Sequence, residues 1–292
     1  MNVGDHVLAY IENEPFVLCK PTLAADLARD GWEKLTNETG VNSNQYCIAA
    51  CVSTLVPARL NLIDLTGSET DRICIEKPDF ERLHHFYEEH GLDPLTTDEL
   101  ETNHVRDKLR GALTLLDLVE PIYNSIRKLV KTIQVLRQDD AEIDTSYSHP
   151  AIPFSIFVSV CEDDSLLSSL RVAESILHES MHLQLTLIER VIDLIRPDVE
   201  NYYFSPWREE NRPARGVLHG IFVFRAVHDF YVAFAKGWNY PDEVKEYLIH
   251  RIKAIEDELD SLHYFEDIPD LTLKGKLLCV KLLEYYVFEC SQ

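Results

Sequence analysis

The segment HESMH contains two histidines, His178 and His182, four residues apart, and Glu179 directly follows the first of them. On a helix, residues i and i+4 lie on one face about 6 Å apart, so two imidazoles at this spacing can bind one metal ion. The surrounding stretch is strongly apolar, and two buried imidazoles beside a carboxylate would be unfavourable there without a compensating cation. The spacing and its context therefore predict that His178 and His182 bind a metal.

A third protein ligand must come from elsewhere in the chain. The best candidate is His219 in RGVLHGIFVF, because the apolar face of that predicted helix should pack against the motif helix. Gly216 and Gly220 beside it would allow a close approach of the two helices. The alternative is a core histidine bonded to a carbonyl group. His228 lies on the opposite side of the same helix, and Glu189 lies about 10 Å along the axis from the motif, so we expect Glu189 to be a surface or supporting carboxylate.

Two chemistries fit the motif. With zinc, Glu179 would be the general base that activates a metal-bound water against a peptide carbonyl, as in a metallopeptidase. With iron(II), three protein ligands on one face leave room for a bidentate 2-oxo acid and for O₂. The spacing of the motif does not decide between these two metals.

Arginines cluster just before His219 in an otherwise acidic protein: Arg208, Arg212 and Arg215. A 2-oxoglutarate enzyme needs a fixed cation for the distal carboxylate of this co-substrate, and a guanidinium group can donate two hydrogen bonds to a carboxylate. Arg215 lies one turn before His219 on the same face of the predicted helix. The alternative is that these arginines only neutralise the two glutamates beside them.

The composition excludes some partners and leaves others open. A net charge of −22 over 292 residues argues against nucleic-acid binding, which needs a basic face. It favours either simple solubility or a basic partner such as a Lys/Arg-containing peptide. No apolar run reaches the roughly 18 residues of a membrane helix, and no signal peptide is recognisable at the N-terminus. We therefore expect a cytoplasmic protein with no membrane partner.

The cysteines agree with a reducing compartment. Seven of them are scattered along the chain without a CxxC pair, which is typical of reduced thiols packed as small hydrophobes. A zinc site built from Cys47 and Cys51 is the alternative, and it lacks further ligands nearby.

The elements that must position these side chains are mostly helical. The expected class is α+β, with the motif helix packed beside a small sheet, which is compatible with a zincin-like arrangement. Residues 1–140 form an N-terminal helical region of unknown role and residues 141–292 the metal-binding catalytic region, and we expect the two to form one compact unit. The segment NYYFSPWREENRP is predicted to be a loop. Helices are predicted over 23–34, 80–90, 97–119, 121–136, 166–195, 214–236, 242–262 and 271–289, and strands over 72–76 and 154–160.

Several segments together resemble a known family. In order they are AIPFSIFVSV, SILHESMHLQLTLIE, the SPWR of YYFSPWREENRP, its RP dipeptide, and GVLHG. The stretch of about 150–235 is similar to the HExxH-domain proteins of pathways that make ribosomal peptides. The N-terminal half carries no matching motif.

The resemblance implies an iron(II)- and 2-oxoglutarate-dependent hydroxylase that acts on the Cβ of a residue in a precursor peptide. It implies His178, His182 and His219 as the metal ligands. It also implies Arg212 as the first choice for binding 2-oxoglutarate, with Arg208 or Arg215 behind it. Glu179 would then order a metal-bound water or hold a ligand imidazole.

Two rival functions stay open at this point. One is a zinc peptidase that uses Glu179 as its base, and the other is a peptide-binding protein with a structural metal. For the hydroxylase, the peptide is expected to lie along the cleft and to pair with the strand Phe154–Val160.

Overall fold

A computed structural model of the chain describes residues 2–13, 16–39, 62–67, 71–138, 140, 143–237 and 240–284. The predicted class, α+β with mostly helices and a small sheet, is confirmed. The helices in these ranges are α1 (Val3–Glu12), α2 (Pro21–Thr39), α3 (Phe80–Glu89), α4 (Thr97–Leu100), α5 (Asn103–Asp117), α6 (Glu120–Leu129), α7 (Leu166–Glu189), α8 (Ala214–Ala235), α9 (Asp242–Asp260) and α10 (Leu273–Leu283). The strands are β1 (Leu62–Asp64), β2 (Cys74–Glu76), β3 (Thr132–Leu136), β4 (Ser146–Tyr147), β5 (Ser155–Ser159), β6 (Tyr202–Ser205) and β7 (Glu210–Pro213).

Five strands form one mixed sheet in the order β1-β2-β3-β5-β4. The inner strands β2, β3 and β5 are parallel, and β1 and β4 are added antiparallel at the two edges. Every residue of β3 and β5 is buried, as expected for parallel strands covered on both faces. The sheet joins strands from both sides of residue 140, and β5 leads directly into the motif helix α7.

The strand β3 corrects one prediction, because the sequence pattern continues a helix from Pro121 through residues 132–136. The helix α6 ends at Leu129, and Val130 is already extended, with φ −95° and ψ 128°. The segment TIQVL is rich in β-branched residues, which fit a pleated sheet. Its pairing with β2 and β5 on both sides therefore outweighs the helical periodicity of the sequence.

Two predicted helices are also shorter than expected. The predicted helix 97–119 is divided into α4 and α5, because Thr102 is extended, with φ −65° and ψ 141°, and its hydroxyl donates to the carbonyl of Glu99 at 2.9 Å. Such side-chain bonds to nearby groups compete with continuation of a helix. The motif helix ends at Glu189 rather than 195, since Ile195 pairs with Leu271 in an isolated bridge.

The main hydrophobic core extends from Val7 of α1 to Leu283 of α10, with α7 and α8 at its centre. By length and composition α8 could cross a membrane, but 78% of its most apolar window is buried inside the molecule. A core helix of a soluble protein has the same properties. The four cysteines that the structure describes are buried free thiols, as predicted, while Cys47 and Cys51 lie outside the described residues.

Candidate metal centre

The helix α7 is buried on all sides except along one polar stripe. It begins after Ser165, whose hydroxyl accepts a hydrogen bond from the backbone N–H of Ser168 at 3.1 Å. From 172 to 188, only four side chains are not buried, and they recur every four residues on one face. Arg171 before these four residues and Glu189 after them extend the stripe. The stripe lies along an open cleft of about 920 Å³. Its members are Arg171, Glu174, His178, His182, Thr186 and Glu189.

The three predicted histidine ligands are neighbours in this cleft. The Nε2 atoms of His178 and His182 lie 3.2 Å apart. Two ligands bound about 2.1 Å from one ion would be separated by about 3.0–3.4 Å, so this pair fits a shared metal. His219 reaches the same place from α8, with its Nδ1 3.1 Å from Nδ1 of His182.

The three histidines do not face one common point. His182 presents its Nε2 atom to His178 and its Nδ1 atom to His219, so the nitrogens form two separate pairs. Across the described ranges of the chain, no three side chains of metal-binding type are already grouped around one ion position. His219 as the third ligand therefore stays a prediction.

Burial keeps the paired imidazoles in the form that binds metals. It lowers the pKa of His178, although the charges of Glu179 and Glu174 act in the opposite direction. Burial also lowers the pKa of His182 well below its usual value, and the neighbouring His178 and His219 add to this shift. Both imidazoles are therefore neutral near pH 7 and have lone pairs available for a cation.

Glu189 is not a surface carboxylate, since its side chain is only 15% exposed and contacts His219. Its Oε2 accepts hydrogen bonds from Nε2 of His219 at 3.1 Å and from Arg215 at 2.6 Å. Burial alone would raise the pKa of Glu189, but the bonds to His219 and Arg215 outweigh it and lower the pKa. Because a carboxylate only accepts, Nε2 of His219 carries the proton and its Nδ1 faces His182.

We expect Glu189→Gln to weaken metal binding by about 10- to 100-fold, since carboxylates that orient ligand imidazoles have effects of this size. Competition with a chromophoric chelator would measure the affinity. Glu210→Gln is a matched control, because that side chain is 61% exposed on β7. Equal affinities for the two variants would contradict a role of Glu189 in orienting His219.

Glu179, the glutamate of the motif, lies between the histidine pair and the sheet edge, with its Oε1 3.9 Å from the Nε2 atom of His178. Its side chain is 5% exposed. Its Oε1 accepts a hydrogen bond from Ser146 and its Oε2 one from Ser148, both at 2.6 Å. Glu179 therefore connects α7 to the β4 segment through two hydrogen bonds. The motif alone did not predict this contact.

The segment NYYFSPWREENRP is a β-hairpin rather than a loop. Its strands β6 and β7 pair Tyr203 with Arg212 and Ser205 with Glu210. Ser205 and Pro206 suit the first two positions of a β-turn, and the N–H of Arg208 donates to the carbonyl of Ser205 at 3.2 Å. The hairpin forms one wall of the cleft.

Trp207 fixes the hairpin tip against α8. Its ring stacks on Phe224, with centroids 4.7 Å apart, and its Nε1 donates to Glu258 at 2.7 Å. Phe224 in turn makes an edge-to-face contact with the ring of His178, with the ring centroids 5.3 Å apart. Gly220 lies directly beneath the indole, so the tip of the hairpin is connected through one aromatic ring to the pair His178 and His182.

The predicted role of the two glycines is therefore wrong, because they face the hairpin and not α7. A Cβ on Gly220 would lie 2.4 Å from the Trp207 ring, whereas one on Gly216 would lie 3.5 Å from the nearest atom of Arg212. The first distance is a steric clash and the second is an ordinary contact.

Gly220→Ala should destabilise the protein by about 1–3 kcal/mol, because overpacking forces Trp207 to move. Gly216→Ala is the matched control on the same helix and should be neutral or up to about 1 kcal/mol more stable, since alanine favours the helix. Urea unfolding of the two variants would measure both changes. Equal stabilities would show that Trp207 is not held against Gly220.

Three of the five arginines that line the cleft are neutralised by carboxylates. The pairs are Arg171 with Asp144 at 2.8 Å, Arg251 with Glu174 at 2.5 Å and Arg215 with Glu189 at 2.6 Å. Their charges are therefore largely compensated within the protein.

The remaining two arginines are both on the hairpin. Among the described residues, Arg212 has only a distant and exposed acidic partner, Glu210, at 3.9 Å. The guanidinium of Arg208 has no hydrogen bond or ion pair with any residue that the structure describes. Burial is the main cause of the lowered pKa of His178 and His182, and the charge of Arg208 adds a smaller effect in the same direction. The structure thus brings all three predicted arginines to the cleft and leaves Arg208 as the least compensated.

Comparison with known proteins adds no assignment to this geometry. No family model matches the chain, and no curated protein matches it.

Proposed function

We propose that this protein is an iron(II)- and 2-oxoglutarate-dependent hydroxylase that acts on the Cβ of a residue in a ribosomally made precursor peptide. The resemblance of residues 150–235 to the HExxH-domain proteins of such pathways supports the proposal. So do the paired neutral imidazoles of His178 and His182 and the uncompensated arginine beside them.

The hydrogen bonding of Glu179 is the observation that favours the proposal over its rival. A zinc peptidase needs this carboxylate to take a proton from a metal-bound water. Here each oxygen of Glu179 already accepts a short hydrogen bond from a serine of the β4 segment. A hydroxylase does not need this carboxylate to take a proton. The hydrogen bonds from Ser146 and Ser148 to Glu179 therefore favour oxidation over hydrolysis.

In this proposal His178 and His182 hold the iron, with His219 as the third ligand. When bound, iron(II) would supply the activation of O₂ and of the 2-oxo acid. The protein's own part is to keep the imidazoles neutral, to orient His219 through Glu189, and to bind the two organic substrates. A zincin-like arrangement is part of the proposal, supported by the motif helix α7 following β5 and contacting the edge strand β4 through Glu179.

The distal carboxylate of 2-oxoglutarate would be bound by the hairpin. Arg208 is the first candidate because its guanidinium has no acidic partner among the described residues, and Arg212, which the family resemblance favours, is the second. Arg215 is less suitable because Glu189 already binds it at 2.6 Å. We place the reaction in the cytoplasm, consistent with the buried free thiols, and include no nucleic-acid or membrane partner.

An anaerobic titration tests the proposal without any peptide. Protein loaded with iron(II) should bind 2-oxoglutarate and develop a visible charge-transfer absorption. Arg208→Gln should raise the Kd for 2-oxoglutarate by about tenfold or more, since a charge-assisted bidentate contact is lost. Arg29→Gln on α2, where the side chain is 65% exposed, is the control. Absence of 2-oxoglutarate binding by the iron-loaded protein would contradict the proposal.

A further inference from the structure

The cleft differs in charge from the protein as a whole. The chain has a net charge of −22, but five arginines and only three carboxylates, Asp144, Glu174 and Glu179, line the cleft. Counting Glu189, which pairs with Arg215, still leaves an excess of one positive charge. This excess lies on the hairpin, at Arg208 and Arg212.

The opposite wall of the cleft is the edge of a sheet. The strand β4 is the outermost strand beside β5, and residues 143–150 all line the cleft. The carbonyl of Thr145 accepts from the N–H of Ser159 at 2.8 Å. Because antiparallel pairing alternates, the backbone groups of Ser146 and Ser148 point away from β5. Within the described ranges, no backbone group pairs with them.

This corrects the expected docking strand. The strand β5 has β3 on one side, and on the other side β4 and Thr145 already pair with its residues 157–159. The available edge belongs to β4, whose Ser146 and Ser148 side chains are held by Glu179. An open strand edge is a template for pairing with an extended segment.

We propose that the cleft binds an extended acidic peptide, which adds a strand to the outer edge of β4 and places a carboxylate side chain at the hairpin arginines. The inference deepens the proposed function, because it takes the cleft to be the peptide site. It reverses the partner favoured by the overall charge, which was a basic peptide. Charge on remote surfaces is screened beyond about 8 Å at physiological ionic strength. The arginines that line the cleft, and not the net charge of the chain, therefore determine the charge of the peptide that binds.

The two hairpin arginines, which have no close acidic partner among the described residues, suit two anionic ligands. One guanidinium can bind the distal carboxylate of 2-oxoglutarate, and the other remains for an acidic side chain of the peptide. A basic side chain at the same place would meet Arg208 and Arg212, and like charges in a partly enclosed site are repulsive.

A selection from a phage-displayed library of random peptides, about ten residues long, tests this charge preference. Wild-type protein, without added iron or 2-oxoglutarate, should enrich Asp and Glu over Lys and Arg. The double variant Arg208→Gln/Arg212→Gln should lose this enrichment, and Arg29→Gln should keep it. Enrichment of basic peptides, no charge preference, or no enrichment at all would each overturn the proposal.

The strand geometry has its own test on one selected peptide with a fluorescent label. Residues of a β-strand alternate in direction, so methylating the backbone nitrogens of alternate residues should weaken binding by about tenfold or more in one register and little in the other. Fluorescence anisotropy would measure the Kd. Equal effects in both registers would overturn strand addition. Because neither assay uses iron or 2-oxoglutarate, acidic-peptide binding without hydroxylation would refute only the proposed reaction.

Discussion

His178→Ala and His182→Ala are each expected to reduce the affinity for iron(II) by more than roughly 100-fold, because each removes one nitrogen of the pair separated by 3.2 Å. Turnover should fall with the metal content. Metal analysis after dialysis against a weak chelator would measure the loss. His85→Ala is the control, since that side chain is 98% exposed on α3.

The same metal analysis of the variant His219→Ala tests whether His219 is the third ligand. His219→Ala should also lose metal if His219 turns a nitrogen toward the ion held by His178 and His182. Full retention of metal and activity would contradict the ligand role. His219 would then only bridge Glu189 and His182, as its present contacts at 3.1 Å do.

The size of the effect of Glu179→Gln on turnover separates the two reaction classes. For a hydrolase, loss of the general base reduces turnover by about 10²–10⁴-fold. For the hydroxylase we expect a reduction of less than about tenfold, because Glu179 serves to hold β4 and glutamine keeps the shape of the side chain. Steady-state turnover of the metal-loaded variant would measure the difference.

Ser146→Ala/Ser148→Ala is the matched variant for this prediction. If Glu179 acts by holding β4, removing both donors at 2.6 Å should reproduce the defect of Glu179→Gln. It should also destabilise the fold by about 2–4 kcal/mol, because a buried carboxylate loses two hydrogen bonds. A nearly inactive Glu179→Gln beside a fully active serine variant would show that Glu179 is the base.

Much of the site is predictable because it depends on local helical spacing. The i, i+4 pair His178 and His182 lies on one face of α7, and His219 lies on the helix that packs against it, as predicted. The polar stripe from Arg171 to Glu189 is also visible in the sequence as a repeat in an apolar helix. This repeat indicates the full length of the cleft and the position of Glu189.

The rest depends on contacts between distant segments. Ser146 and Ser148 lie in a short acidic and turn-rich stretch, and nothing local indicates that they bind Glu179, more than 30 residues away. The sequence of the hairpin predicts a loop because the strand β7 contains Pro, Asn and Glu, which are poor strand formers. Its stability comes from Trp207 packing on Gly220 and Phe224, which only the tertiary structure brings together.

The mass of a peptide after reaction tests the central claim most directly. The substrate would be the precursor peptide encoded beside this chain or, in its absence, a peptide selected on the cleft. With iron(II), 2-oxoglutarate and O₂, we predict an intact peptide that has gained one oxygen atom, with one succinate released for each, and inhibition by zinc. Peptide fragments formed with zinc and without 2-oxoglutarate would contradict the hydroxylase and establish a peptidase.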